Sequence, residues 1–155
     1  MKAILGLAAV TVSLTACAPD AARKEAASSA KPITGTWQLV KGTVIEKGDT
    51  LTTNYTKNKN ITFVKIINDT HFAFLQHDVH KGKDSAVFVS GGGRYSLKDS
   101  TYTEHLEYCS ARNWEGNDFA FTVSIKSDTL VQQGVEKVEA SGINRINIEK
   151  YVKVN

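Results

Sequence analysis

Punctuation is what most constrains the fold of this 155-residue chain: Asp is followed by Thr or Ser at 49, 69, 99 and 128, each time in a gap between runs of alternating or β-branched residues. Short side-chain oxygens at such positions satisfy turn amides that would otherwise lack partners. Turns this tight leave each run little choice but to pair with its sequence neighbour, so the pattern predicts an antiparallel meander. The expected strands cover 35–46, 61–67, 71–76, 85–90, 94–97, 101–108, 119–125, 129–135 and 144–154, with Asn68-Asp69 as a two-residue turn. The cleanest alternation has Phe119, Phe121, Val123 and Ile125 on one face and Ala120, Thr122 and Ser124 on the other. Residues 51–60 read as either a ragged strand or a loop crossing one end. Gly91, Gly92 and Gly93 read as a bend that admits curvature or close approach at the entry to the 94–108 hairpin.

No run of ten or more residues carries helical periodicity, so the chain is expected to be all-β with about 8–10 strands. A sheet that wide in so short a chain exposes two edges unless it closes, and closure favours a single up-and-down antiparallel barrel over a sandwich.

The N-terminus sets location. Lys2 precedes an apolar stretch from Ala3 to Val12 that is too short to span a bilayer, which is the form of an export signal over residues 1–16. Leu14-Thr15-Ala16-Cys17 resembles the lipobox of bacterial lipoproteins, and that resemblance implies acylation of Cys17. Residues 17–33, small and polar, then read as the acylated cysteine and a flexible tether, and residues 34–155 as the barrel domain. From the lipobox resemblance the protein is expected in the bacterial cell envelope, held at the outer membrane through lipid on Cys17. With Cys17 acylated, Cys109 has no partner in its own chain and no disulfide framework is expected. The net charge of +3 is not concentrated anywhere, so nucleic-acid binding is not expected.

Gly35-Thr36-Trp37 at the head of the first strand resembles the Gly-x-Trp motif of lipocalins and other calycins. A longer string, Gly91 to Leu97 followed by Tyr102-Thr103-Glu104-His105 and Glu107-Tyr108, resembles the signature of a bacterial lipocalin-like lipoprotein family of undetermined function. The resemblance extends to residues 68–72 and to Trp114-Glu115-Gly116, and it implies a calycin-type barrel with a habit of binding ligands. One departure bears on the ligand. Fatty-acid-binding calycins present an Arg-x-Tyr pair from the last strand, whereas this chain has Glu149-Lys150-Tyr151, so that carboxylate clamp is not expected.

Alternation along 101–108 puts Tyr102, Glu104 and Tyr108 on one face and His105 and Cys109 on the other. The first set, with its two aromatics and Leu106, is expected to face inward, which carries a carboxylate into the barrel. Glu104 is then either a polar anchor for a small, largely apolar molecule or half of a structural bond to Tyr102, Arg94 or Lys150. Phe63, Phe72, Phe74, Phe119 and Phe121 either wall a cavity or fill it, and the expected ligand-binding set is Tyr102, Glu104, Tyr108, Phe72, Phe74, Phe119 and Phe121. Trp37 is expected to pack across the closed end. His77-Asp78-Val79-His80 lacks the accompanying ligands of a known metal motif, and no metal or cofactor is expected. No catalytic motif is present, and the neighbours Glu104 and His105 point to opposite faces.

Two functions remain open at this level. One is a membrane-anchored binding protein for a small apolar ligand. The other is a protein-interaction module such as a lysozyme inhibitor, because Ser90-Gly91-Gly92-Gly93-Arg94-Tyr95 loosely resembles the Ser-Gly-x-Gly-x-x-Tyr loop of small inhibitor lipoproteins, with Tyr95 one residue early.

Overall fold

The computed structural model describes residues 33–83 and 85–154. The expected export signal, the acylated Cys17 and nearly all of the tether lie outside the described residues. Nine strands follow in order: β1 (Gly35–Glu46), β2 (Asp49–Asn54), β3 (Ile61–Ile67), β4 (His71–Asp78), β5 (Phe88–Lys98), β6 (Thr101–Cys109), β7 (Asp118–Lys126), β8 (Thr129–Val138) and β9 (Ile143–Val154). Short 3₁₀ turns at Arg112–Trp114 and Glu139–Ser141 break the β6–β7 and β8–β9 connections. Every pairing is antiparallel and β1 also pairs with β9, so the sheet closes. The meander expected from the turns is therefore a closed barrel of lipocalin-like architecture.

Eight strands form the barrel and β2 is an addition to it. The first half of β1, Gly35 to Gln38, pairs with β3, while the second half, Lys41 to Glu46, pairs with β2. As a result the first residues of β3, Ile61 to Phe63, are laddered only to β4, and the wall between β2 and β3 is parted there. The segment 51–60 is thus resolved into both alternatives: strand through Asn54, then a loop.

Turn chemistry explains the local geometry. Lys47 and Gly48 adopt positive φ (52° and 91°), as do Asp99 (55°) and Ser127 (53°), the backbone that tight hairpins with right-handed strand twist require. At the β3–β4 turn the amide acceptor is Asn68, not Asp69: its Oδ1 receives Thr70 N at 2.9 Å and His71 N at 2.7 Å. Asn54 does the same for Thr56 N and Lys57 N, at 3.0 and 3.2 Å.

The triple glycine meets one part of its expectation, close approach, and not the other. It is no bend between two strands; residues 91–93 run through the middle of β5, with Gly92 and Gly93 buried. Close approach is the reason for glycine here. A Cβ on Gly91 would lie 2.5 Å from Cζ of Phe74, and one on Gly92 would lie 2.5 Å from the Phe72 carbonyl oxygen. The β5–β6 register also slips beside them: Gly92 pairs with Tyr108 but Gly93 with Leu106, leaving Glu107 as the extra residue of a β-bulge.

One end of the barrel is packed solid. Trp37, Tyr102, Leu130 and Tyr151 are fully buried, with Leu39, Ile67 and Phe72 nearly so. Trp37 crosses this end as expected, its Nε1 donating to the Ile33 carbonyl at 2.8 Å and its ring lying 5.3 Å from the Lys153 ammonium. A tryptophan so enclosed contributes several kcal/mol of burial free energy, roughly 25 cal/mol for each Å² of apolar surface removed from water.

Candidate functional site

The other end is hollow. A cavity of about 390 Å³ is lined by residues of all nine strands, a volume within the usual range for small-molecule sites. Whether the phenylalanines fill the barrel or wall it is thereby answered by halves.

Its walls differ in chemistry. Aromatic side chains come from two facing parts of the wall: Phe63 and Phe74 on β3 and β4 stack at 5.9 Å with planes 8° apart, and across the barrel Phe119 and Phe121 come from β7, with Trp114 packed on Phe119 at 5.8 Å. The β8–β9 side is polar. Gln132 and Glu136 on β8 face inward with Arg145, Asn147 and Glu149 on β9. The apolar residues Ile146 and Val152 of β9 turn to the outside instead. Leu51 of β2, 69% exposed, stands at the mouth, and the Tyr55 ring reaches back over Gly42, 3.6 Å from where a Cβ would sit.

Inside, charges are matched over long sequence distances. Lys65 Nζ donates to Glu104 Oε1 at 2.7 Å and to Gln132 Oε1 at 3.0 Å, with the Lys65 and Glu104 side chains only 3% and 7% exposed. Burial of two charges is tolerated because each is paired and hydrogen-bonded. The ammonium also sits 5.4 Å from the Tyr151 ring centre and 5.8 Å from that of Phe72. Nearer the mouth, Glu136 accepts from Arg145 Nε at 2.7 Å and from Asn147 Nδ2 at 2.8 Å, and Arg145 stacks on Trp114 at 5.3 Å. Glu149 accepts from the Tyr151 hydroxyl at 2.7 Å.

These surroundings act on the tyrosines. Burial, and then the charge of Glu149, hold the Tyr151 phenol well above its ordinary value, and the same two causes raise that of Tyr55. Burial and then the Glu104 carboxylate raise Tyr102 strongly as well. The Tyr102 hydroxyl is enclosed without a hydrogen-bond partner among the described residues.

Of the residues expected at a ligand site, Glu104, Phe74, Phe119 and Phe121 line the cavity. Tyr102 and Phe72 are buried in the solid half. Tyr108 does not face inward: it is 68% exposed, and Cys109, expected outside, is buried and lines the cavity. The bulge at Glu107 inserts one residue into the period-two alternation, so every later side chain of β6 changes face. Of the three partners expected for Glu104, Tyr102 lies close enough for the carboxylate to raise its phenol but forms no hydrogen bond to it, and the other two are elsewhere. Arg94 lies outside, bonded to Glu107 at 2.7 Å, and Lys150 is exposed.

Lys65 was missed because the run 61–67 is apolar on both faces and one lysine in it carries no parity signal; an inward carboxylate at Glu104 was the clue that a cation had to face it. Gln132, Glu136, Asn147 and Glu149 were missed because their strands were read for apolar periodicity alone.

Other sequence features take local roles. Asp78 accepts from Gly82 N at 2.7 Å and Val87 N at 3.1 Å, which orders the β4–β5 loop and holds its carboxyl below the usual range. His77 bonds the Asp78 carbonyl and His80 reaches Asn60. Neither Ser90 nor the glycines form an exposed loop of the inhibitor kind, since they lie within β5. His105 pairs with Asp118 at 2.8 Å on the outer surface, away from Glu104.

No family model matches this sequence, and no curated protein matches it either.

Proposed function

We propose that this protein is a lipocalin-like binding protein that holds a small, largely apolar molecule in the open half of its barrel, and that it is anchored to the bacterial envelope through lipid on Cys17. The observation that carries the reading is the cavity of about 390 Å³ that combines aromatic side chains of β3, β4 and β7 with the polar interior face of β8 and β9, since apolar surface supplies affinity and a few placed polar groups supply orientation. The lipobox-like Leu14-Thr15-Ala16-Cys17 and the string around Gly91 to Tyr108 support the anchor and the family resemblance. A solid closed end further suits a container that loads from one side.

Native mass spectrometry of the protein purified from its own host tests the binding role. A reproducible added mass that disappears after organic extraction is the expected result, and its consistent absence would count against a stored ligand. For the anchor, the wild-type protein is expected in the membrane fraction and Cys17→Ser in the soluble one.

A further inference from the structure

The polar wall does not balance its own charge. Five ionisable acid and base side chains line the cavity: Lys65, Glu104, Glu136, Arg145 and Glu149. Lys65 is paired with Glu104 and Arg145 with Glu136, both at 2.7 Å. Glu149 is left over. Its Oε2 receives the neutral Tyr151 hydroxyl, and none of the ion pairs among the described residues includes it, both cavity cations being held by other carboxylates.

Its position is as informative as its charge. Glu149 is cross-strand from Gln132 on one side and from Gly42 on the other. Gln132 already accepts from Lys65, and Gly42, which has no side chain, is covered by the uncharged Tyr55 ring, so neither neighbour brings a cation to the carboxylate. Charge in a half-enclosed cavity acts through a lower dielectric than water, so an unmatched carboxylate there favours a positive or donating group and repels an acid. The upward push of Glu149 on both neighbouring phenols, Tyr55 and Tyr151, follows the same field.

We infer that the ligand is a cationic amphiphile, an amine on an apolar body, whose ammonium is received by Glu149 while the body lies between Phe63 and Phe74 on one side and Phe119 on the other. This rests on the reading that the cavity binds a small molecule. These aromatic rings suit such a ligand twice over, because they pack on alkyl groups and their faces attract a nearby cation. A carboxylate ligand would meet Glu149 unshielded, and the one cation at depth, Lys65, is already committed to Glu104 and Gln132.

Three probes with one chain and different heads separate the terms: octylammonium, 1-octanol and octanoate, titrated calorimetrically at pH 7 into the folded protein. Octylammonium is expected to bind tightest and octanoate weakest, with about tenfold or more between them. Glu149→Gln keeps an acceptor for Tyr151 and should weaken octylammonium about tenfold while leaving 1-octanol unchanged. If octanoate binds as tightly as octylammonium, the inference fails and the cavity reading survives. If the preference persists in Glu149→Gln, Glu149 is not the receiving group and the inference fails. If none of the three binds, both readings fail together. The wild-type ranking decides without any variant should Glu149→Gln not fold.

Discussion

The two halves of this barrel are built from the same strands and do opposite things. In the closed half, Trp37, Tyr102, Leu130 and Tyr151 leave no accessible surface. In the open half the same strands carry Phe63, Phe74, Glu136 and Glu149 around an unfilled volume. What differs is what the strands are paired to. At the closed end β1 is held between β3 and β9, and the turns are tight. At the open end β1 has peeled away to pair with β2, and β6 has left β7 after His105. One half stores the stability that lets the other remain hollow.

Substitutions test that division, and the largest effect belongs to the closed end. Trp37→Ala is expected to lower unfolding free energy in urea by about 3–5 kcal/mol. Phe63→Ala, on a wall that already faces a void, should cost about 2 kcal/mol or less because fewer packed neighbours are lost. Equal losses would mean that the cavity wall is as tightly packed as the closed end.

The boundary between the halves is the Lys65–Glu104 pair. Lys65→Met leaves Glu104 buried without its cation and is expected to destabilise by about 3 kcal/mol. Lys65→Met combined with Glu104→Leu should recover most of that loss, since no charge then remains unpaired. A double variant no better than the single would show that the pair holds the floor by shape and not by charge.

Alkaline pH separates the halves by another route. Tyr102 and Tyr151 have phenols raised above their ordinary 10.0 in the folded chain. Below pH 10 both states carry them neutral and the contribution is constant. Above pH 10 the unfolded chain ionises first, so stability falls by about 1.4 kcal/mol per pH unit for each tyrosine. Tyr55 and Tyr95, raised as well, add to the same slope, so Tyr102→Phe should reduce it without abolishing it in urea titrations from pH 10 to 11, and should not destabilise at pH 7 because the hydroxyl it removes has no hydrogen-bond partner among the described residues. An unchanged slope would place the alkaline transition elsewhere.

The smallest effect is expected at Tyr108. It shares a strand with Glu104 but lies outside, 68% exposed, so Tyr108→Ser should change stability by no more than about 0.5 kcal/mol and leave ligand titrations as in wild type. A clear loss of binding would restore it to the cavity and undo the assigned bulge.

Much of the fold was legible from local chemistry. Turn residues at 49, 69, 99 and 128 predict the meander, and alternation in 119–125 gives the faces of β7 correctly, because both depend on neighbours a few residues away. The site was legible only in part. Glu104 could be sent inward by its place between Tyr102 and Leu106, and Phe74, Phe119 and Phe121 by theirs. Tyr108 could not be placed correctly, because the bulge that turns it outward lies where β6 meets the closely packed glycines of β5, which no pattern within β6 reports.

Alone, then, the sequence determined the all-β class, most of the strands and the tight turns that join neighbours, but not that 88–98 is one strand or that β1 divides between β2 and β3. Tertiary structure decided the rest of the site. Lys65 meets Glu104 across 39 residues and Gln132 across 67, and the Glu149 carboxylate is unmatched only because each cation in the cavity has been taken by another acid. Such pairings exist once the barrel closes and brings distant strands to one interior. Local propensity acts over a few residues, whereas charge balance in a cavity is a property of everything that faces it.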